Sequence, residues 1–334
     1  MIAYIARRTL MGMFTIWVIT VLSFIIIELP EGDAVDRLYG ITLVYISEAE
    51  AMAVADELRL YLGLDRPKYV RYSMWIWNLL HGDLGRSFGN YLVGQRQVKD
   101  VVGDRLFLTV VLTGFTVIIT WSFAIPVGVY SAVRQHSVGD YAFTIVGFRG
   151  LAVPDFLLGL VLMYVAFAYF DQSVGGLFSA DYVNAAWGWA KAYDLLNHLW
   201  IPAVVLGTSG TASLIRIMRN NLLDELGKPY VVTARAKGVR PWRLILKYPV
   251  RVAINPLIST VGYLLPALVS GSVIVSVVLS LPTVGPVLLY AIQVEDTFTA
   301  GFIILMLGVL TVIGTLVSDI LLAVVDPRIK LTRQ

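Results

Sequence analysis

Residues 230–256 read YVVTARAKGVRPWRLILKYPVRVAINP, a basic stretch that lies between strongly apolar segments. The residues before Gly238 have helical composition, and a glycine allows the backbone to turn sharply. Pro241 follows, and proline is well suited to the first position of a helix. The stretch therefore predicts two short helices joined at the glycine, forming a rigid polar projection between hydrophobic spans.

The composition around this stretch is that of a membrane protein. Of 334 residues, 57% are hydrophobic and 15% are charged, and the mean hydropathy is +0.75. A soluble protein would expose too much apolar surface, whereas lipid accepts apolar side chains on the outside of a helix bundle. Cysteine is absent, which excludes disulfides and thiolate chemistry, and the net charge of +3 does not suggest nucleic-acid binding.

The apolar segments predict six membrane-spanning helices. The first, at residues 9–29, is long enough to cross about 30 Å of hydrocarbon. It is too long for the apolar core of a signal peptide and has no typical cleavage site, so it is predicted to be a retained anchor. The others lie at 106–132, 141–170 (broken around Pro154), 200–215, 257–281 and 298–325. The predicted fold class is an all-α membrane protein.

A long polar insertion at residues 31–105 separates the first two spans. Ser47 and Glu50 have the spacing of a capping box, Gly63 is suited to end the helix that follows, and Pro67 to begin another. The segment is too aromatic for a disordered linker. The predicted organisation is an anchor helix (1–30), a folded extracellular cap (31–105), a core of five spans (106–325) whose cytoplasmic loop covers about 221–256, and a cytoplasmic tail (326–334).

Loop charges set the predicted orientation. Residues 216–256 contain nine basic and two acidic residues, a net charge of +7, whereas the loops between spans three and four and between spans five and six are acidic. Lys and Arg are enriched in cytoplasmic loops. The basic loop and both termini are therefore predicted to be cytoplasmic.

Three interpretations of the basic loop are open: fixing topology, binding anionic lipid headgroups, and docking to a cytoplasmic protein. Topology needs the charge but not the helix–glycine–helix pattern, which favours docking. The small residues Thr233, Ala234 and Ala236 would let the backbone of a partner approach closely. Trp242 and the leucines and isoleucine after it would supply apolar contacts.

Short motifs occur along nearly the whole chain: YIARR at 4–8, GDLGRSF at 82–88, TARAKG at 233–238, the Ser280-Leu281-Pro282 segment with Gly285, Ala-Ile at 291–292, and DPRI at 326–329. In this order and spacing the chain resembles type I ABC import permeases, specifically the first permease subunit of dipeptide and oligopeptide importers. The basic loop is similar to the coupling loop of that family.

The resemblance implies a non-catalytic, multi-pass subunit of the cell membrane that transports by alternating access. Its implied partners are a second homologous permease, two cytoplasmic ATPases that bind ATP and Mg, and an external substrate-binding protein. This chain itself would bind no cofactor. The implied ATPase-coupling residues are Tyr230, Thr233, Ala234, Arg235, Ala236, Lys237, Gly238, Pro241 and Trp242.

Two positions depart from the family pattern. Val232 stands where the wider permease class has a glutamate in the coupling loop, although peptide permeases commonly lack it. Ser276 stands where relatives often have a glutamate in span five, which puts the usual substrate chemistry in doubt. Peptide is the predicted cargo, and oligosaccharide or nickel importers and a stand-alone ion-coupled carrier are the alternatives.

Three residues are candidates for the substrate pathway: Asp155, Ser272 and Ser276. A carboxylate at membrane depth faces protein or water, so Asp155 either lines the path or accepts hydrogen bonds from amides near Pro154. Asp319 is instead expected to pair with a basic loop residue. No phosphate-loop sequence, catalytic residue set or metal-ligand spacing is present, so no catalysis and no metal site are predicted.

Overall fold

The computed structural model describes residues 2–28, 35, 39, 47–87, 96–170, 175–261, 264, 273–294 and 296–325. These residues are mostly helical, as the sequence predicts. The described residues also include a two-stranded antiparallel ladder of β1 (Arg86–Ser87) and β2 (Arg96–Gln97), in which Arg86 lies opposite Gln97. Ser272, part of the predicted fifth span and the whole predicted tail lie outside the described residues.

The described helices occur in both halves of the chain. In the first half of the chain they are α1 (Ile2–Glu28), α2 (Glu48–Leu62), α3 (Lys68–Leu80), α4 (Val98–Val133), α5 (Val138–Ala152) and α6 (Asp155–Phe170). A short 3-10 helix (Ala180–Tyr182) precedes the second half, which contains α7 (Trp189–Leu226), α8 (Pro229–Ala236), α9 (Pro241–Lys247), α10 (Pro249–Ala253), α11 (Val273–Val278), α12 (Val284–Gln293) and α13 (Thr297–Val325).

Several of these helices have the length and composition of membrane spans. Within the described ranges three qualify, at Ala6–Glu28, Val98–Val133 and Phe298–Val325. A fourth qualifies if Trp189–Thr208 and Gly210–Leu226, which meet at a bend of 56°, form one span. Asp155–Phe170 and Val284–Gln293 are apolar but shorter. The chain is therefore a multi-pass helical membrane protein.

The predicted break in the third span is confirmed. Helix α5 ends at Ala152, and α6 begins at Asp155, directly after Pro154. Proline disfavours helical geometry in the residue before it, and it fits the start of a helix, where its missing N–H is not needed. The helix that contains the predicted fourth span is longer than residues 200–215, because α7 extends well beyond them at both ends.

The extension of α7 has a visible cause in the loop before it. The Lys191 ammonium donates to the carbonyls of Val183 (3.3 Å) and Ala185 (2.7 Å), and it lies 4.9 Å from the centre of the Phe178 ring. Its charge is thus buried against carbonyl oxygens and an aromatic face. A helix that contains charged residues here is stable because the preceding loop satisfies them.

A second charged residue of α7 is satisfied by the same loop. The Asp194 carboxylate accepts hydrogen bonds from the Ser179 backbone N–H (2.8 Å) and hydroxyl (2.6 Å). The loop is attached at its start as well, where the Gly176 N–H donates to the Leu279 carbonyl at 2.7 Å. These contacts order a segment that the sequence predicts only as a polar, aromatic loop.

The chain folds as two compact units. The larger unit contains residues 1–9, 108–282 and 311–334. Part of its core surrounds Leu199, Val205 and Leu279, and another part surrounds Met218, Leu222 and Leu257. In this unit α4 and α7 approach closely at Gly128, where an added Cβ would lie 2.7 Å from the Cβ of Met218. Small residues at such crossings are typical of membrane helices.

In the larger unit, Asp319 forms an ion pair with Arg8. Its carboxylate lies 3.0 Å from the Arg8 guanidinium, with both side chains mostly buried. Pairing was expected, but the expected partner in the basic loop is wrong, since Arg8 belongs to the N-terminal helix. Asp319, six positions before the last residue of α13, thus pairs with a residue more than 300 positions away in sequence.

The smaller unit contains residues 10–107 and 283–310. Here α1 packs on α13 at Gly308, where an added Cβ would lie 2.7 Å from Ile19 Cγ2. Helix α3 is fixed to α1 by two hydrogen bonds from Arg71 to Glu28, at 2.6 and 2.9 Å. Because both charges are largely removed from water, this pair holds the two helices in one arrangement.

Candidate functional site

The basic hairpin consists of α8, the turn at residues 237–240 and α9. Its turn is a Schellman motif: the Gly238 N–H donates to Arg235 (3.0 Å) and the Val239 N–H donates to Ala234 (3.3 Å). Gly238 has φ of +71°, a conformation that costs an ordinary L-residue energy. Pro241 occupies the first turn of α9. The predicted helix–glycine–helix arrangement is confirmed.

The inner face of the hairpin is a small apolar cluster. Val231, Ala234 and Leu244 are buried, and Val239, Ile245 and Tyr248 pack against them. All six residues belong to the hairpin or directly follow it. The contact between Val239 and the Ala234 region is the apolar contact that accompanies a Schellman turn. The hairpin is therefore held in shape by its own residues.

The outer face of the hairpin is basic and apolar at once. Arg235, Lys237, Arg240 and Arg243 are exposed. Trp242 is 63% exposed and Val232 is 55% exposed, although neither residue type favours water. Nothing lies within 4 Å of the position that a Gly238 Cβ would occupy. Exposed apolar side chains among charges are typical of a protein-binding surface.

The nine predicted coupling residues differ in exposure. Eight are exposed: Tyr230, Thr233, Arg235, Ala236, Lys237, Gly238, Pro241 and Trp242. Ala234 differs, because it is buried and contributes to the inner cluster rather than to the surface. The Tyr230 hydroxyl donates to the Glu225 carboxylate, and the Thr233 hydroxyl donates to the Pro229 carbonyl at 2.9 Å. Both contacts stabilise the start of α8.

The predicted pathway residues are less fully described. Asp155 is half-buried at the first position of α6, and Ser276 is fully buried in α11. Helices α6 and α11 belong to the same packed region, in which an added Gly159 Cβ would lie 3.1 Å from Leu279 Cδ2. Ser272 lies outside the described residues. The pathway role of all three stays a prediction.

One buried ion pair near the basic end of the larger unit was missed by the sequence analysis. The Arg219 guanidinium donates to the two oxygens of Asp140, from Nε at 3.2 Å and from Nη2 at 3.0 Å. The hydrogen bond from Arg219 lowers the pKa of the Asp140 carboxyl. Asp140 also accepts from the His136 N–H, which stabilises the turn between α4 and α5. The partners are 79 positions apart in sequence, so there is no local sequence signal for the pair.

An exposed, self-contained hairpin on an apolar helical core is the arrangement of a membrane protein with a candidate protein-binding surface. Residues 124–331 match the family "Binding-protein-dependent transport system inner membrane component". The chain is 35% identical over 336 residues to the oligopeptide transport system permease protein AppB of Bacillus subtilis, with 99% of this chain and 100% of that protein covered. It is 29% identical over 346 residues to the dipeptide transport system permease protein DppB of Escherichia coli K12, with 99% of each covered.

The chain belongs to the family of binding-protein-dependent transport system inner membrane components. The family match covers α5 to α13 and includes the basic hairpin. The resemblance identified from sequence motifs is confirmed. Membership makes the chain a permease subunit of an ABC importer, the role that the sequence predicts.

Proposed function

We propose that this chain is the membrane subunit of an ATP-driven importer of dipeptides and oligopeptides. Six helices cross the cell membrane, both termini are cytoplasmic, and residues 31–105 form a cap outside. The cap helps to seat an external substrate-binding protein. The apolar helices and the full-length similarity to two permeases whose names specify peptides support this proposal.

The basic hairpin docks into a groove on a cytoplasmic ATPase. The observation that carries this proposal is the exposed outer face, in which Trp242 and Arg235 project from a hairpin held by a left-handed glycine. A docked element transmits movement only if it resists deformation, and the inner cluster with the Schellman turn supplies that resistance. Closure of the ATPases would push the hairpin and shift the permease between two states.

The chain itself is non-catalytic in this mechanism. ATP and Mg bind to two ATPase subunits, and a second, homologous permease completes the transport cavity. Asp155, Ser272 and Ser276 are proposed to face that cavity. A peptide offers backbone amides to hydroxyl and carboxylate groups, so these side chains suit it without selecting one sequence.

The decisive experiment compares two glycine substitutions in the assembled transporter. Gly238→Asp places a carboxylate at the open tip of a basic surface, whereas Gly227→Asp makes the same chemical change at an exposed glycine with φ of −83°. We expect Gly238→Asp to lower peptide uptake in proteoliposomes about tenfold, a loss of about 1.4 kcal/mol of coupling, while the subunits still co-purify and ATP is still hydrolysed.

The control should stay within about twofold of the unsubstituted protein, because one exposed charge is worth about 0.5 kcal/mol or less. Equal uptake for both variants would contradict docking through the hairpin. Peptide uptake by this chain in liposomes without any ATPase would instead show a stand-alone carrier.

The orientation has an independent test. The chain contains no cysteine, so Lys237→Cys introduces one label site at the exposed hairpin. A membrane-impermeant maleimide should react only after the cells are opened. Reaction in intact cells would place the hairpin outside and overturn the proposed topology.

The cargo is best determined on the cognate binding protein. Mass spectrometry of the ligands that it releases should detect short peptides. Tight glycan binding without peptide binding would reassign the cargo to oligosaccharides and leave the coupling mechanism in place.

A further inference from the structure

A cleft of about 470 Å³ lies between α5 and α7 in the larger unit. Its volume falls within the range of small-molecule sites, roughly 300–1,000 Å³. Its lining includes His136, Thr144, Gly147, Ala212, Arg216 and Arg219. None of the predicted coupling or pathway residues lines it, so the proposed mechanism leaves this cleft without a role.

One end of the cleft is polar and positively charged. Arg216 and Arg219 stand three residues apart on α7, which places them on the same side of the helix. Arg219 donates to Asp140 from Nε and Nη2. The guanidinium group of an arginine has five N–H groups in all. The carboxylate fixes the position of Arg219, and two arginines against one aspartate give the lining a net positive formal charge.

The other end of the cleft is apolar and narrow. An added Cβ on Gly147 would lie 3.4 Å from the Cβ of Ala212, so the two helices are nearly in backbone contact there. These residues lie seven positions from the Asp140–Arg219 contact on each helix, or about 10 Å along the axis. The cleft therefore changes from charged to apolar over the length of a lipid headgroup and its glycerol.

The surface beside the cleft continues the apolar end. On α5, Ile145 is 52% exposed and Val146 is 67% exposed, and neither residue is part of the cleft lining. An isolated polar molecule would gain nothing from this surface. A molecule with an anionic head and apolar tails matches both parts, because the head meets the guanidinium groups and the tails follow α5.

We propose that the cleft binds one anionic phospholipid, with its phosphate between Arg216 and Arg219 and its acyl chains along α5. The site rests on the proposed membrane topology, which places this end of both helices at the cytoplasmic surface, and it is independent of the cargo. Bound lipid would fill the space between α5 and α7.

The test uses the purified full-length chain in mixed micelles with equal amounts of phosphatidylglycerol and phosphatidylcholine. Native mass spectrometry counts the lipids that stay bound. We expect phosphatidylglycerol to be retained over phosphatidylcholine, and Arg216→Gln to reduce its retention about fivefold, the effect of one arginine at an anionic lipid surface.

Two further variants separate the cleft from general charge. Arg134→Gln removes the same charge from an exposed arginine that does not line the cleft, and it should change retention by less than twofold. Thr144→Trp fills the cleft without changing charge and should reduce retention as much as Arg216→Gln. Circular dichroism and gel filtration verify that each variant is folded.

Several outcomes would overturn the proposal. Equal losses for Arg134→Gln and Arg216→Gln would mean diffuse attraction, and full retention by Thr144→Trp would place the lipid elsewhere. Displacement of the lipid by millimolar inorganic phosphate would show a free-anion site. Loss of the lipid upon assembly with the homologous permease would show that protein covers the cleft. The lipid counts do not depend on coupled peptide uptake. The lipid site and the proposed transport function can therefore be disproved independently.

Discussion

Two helix–glycine–helix hairpins in the described part of the chain have almost the same turn. In the N-terminal hairpin, formed by α2 and α3, Gly63 has φ of +62° and donates to Leu60 at 3.2 Å. In the basic hairpin, Gly238 has φ of +71° and donates to Arg235 at 3.0 Å. In both, the residue after the glycine closes the second Schellman bond, and a proline precedes or begins the next helix.

The two turns differ in what surrounds them. Gly63 is buried, and an added Cβ would lie 3.6 Å from Arg66 and 3.9 Å from Met74. Gly238 is exposed, with nothing within 4 Å of the same position. The same backbone chemistry thus produces one turn that is covered by its own hairpin and another that is open.

The helices after the two turns are also held differently. Helix α3 is attached to α1 through Arg71 and Glu28, and the Tyr72 hydroxyl lies 2.8 Å from that of Thr20. Helix α9 buries only its inner face, on the cluster around Leu244. The N-terminal hairpin is attached to the long helix α1 and supports it. The basic hairpin packs only on itself, so its outer face stays exposed and could contact a partner. The contrast predicts different responses to substitution.

The largest effect is expected at the attachment of α3. Arg71→Ala leaves Glu28 unpaired in a mostly buried position, which should destabilise the contact by about 3–5 kcal/mol. Hydrogen exchange should accelerate throughout α3. Arg66→Ala removes an exposed arginine from the same hairpin and should have little effect. Unchanged protection of α3 in Arg71→Ala would show that the ion pair does not hold it.

Within the basic hairpin, substitutions on the inner face and on the outer face should have different effects. Leu244→Ala removes a side chain that is only 2% exposed and should cost about 2 kcal/mol, measured as faster exchange in α8 and α9. Trp242→Ala should leave that exchange unchanged but weaken binding to the ATPase, because exposed tryptophans are frequent binding hot spots. Faster exchange in Trp242→Ala would instead make Trp242 part of the hairpin core.

The turn glycines allow the same substitution to be compared in the two hairpins. Gly63→Ala and Gly238→Ala should each cost about 1 kcal/mol, since both require the left-handed conformation. Asparagine tolerates this conformation better, so Gly238→Asn should recover part of the loss. Only the Gly238 variants should alter peptide uptake. An equal loss of uptake in Gly63→Ala would remove the functional distinction between the turns.

The smallest effect concerns pH. The Glu50 carboxylate accepts from the Ser47 hydroxyl at 2.7 Å and from its N–H at 3.2 Å, and these bonds lower the pKa of Glu50. A lowered folded-state pKa stabilises α2 above the ordinary carboxyl pKa, and this stabilisation is lost as the pH falls through the lowered value.

Exchange at the start of α2, corrected for its intrinsic pH dependence, should therefore increase on acidification. Ser47→Ala should abolish this dependence. Residues 229–247 contain no Asp or Glu, so the exchange of α8 and α9 should change less. A Ser47→Ala protein that still loses protection in acid would assign the effect to another group.

Local signals predicted both hairpins well. The Ser47–Glu50 capping box, the turns at Gly63 and Gly238, and the helix break at Pro154 depend on residues within a few positions of one another. Such features follow from backbone geometry and short-range hydrogen bonds, which the sequence displays directly. The family motifs add specificity because their order extends along the whole chain.

Features that depend on distant contacts were missed or misplaced. Helix α7 is longer than predicted because Lys191 is satisfied by the preceding loop. Asp319 pairs with Arg8, and Asp140 with Arg219, across separations that no periodicity reveals. The burial of Ala234 is a local feature, yet small residues suit a close interface and a close core equally well. The sequence therefore predicts the hairpin and most of its surface, but not which of its small residues is buried.

The inner cluster of the basic hairpin has a consequence for how such permeases diverge. Val231, Leu244 and their neighbours hold the fold of the hairpin without help from Arg235, Lys237 or Trp242. Selection is thus free to exchange the outer residues one by one while the shape of the hairpin persists. In the proposed docking, a lineage that acquires a different ATPase subunit needs to change only the exposed side chains, so subunit pairing is able to diverge faster than architecture.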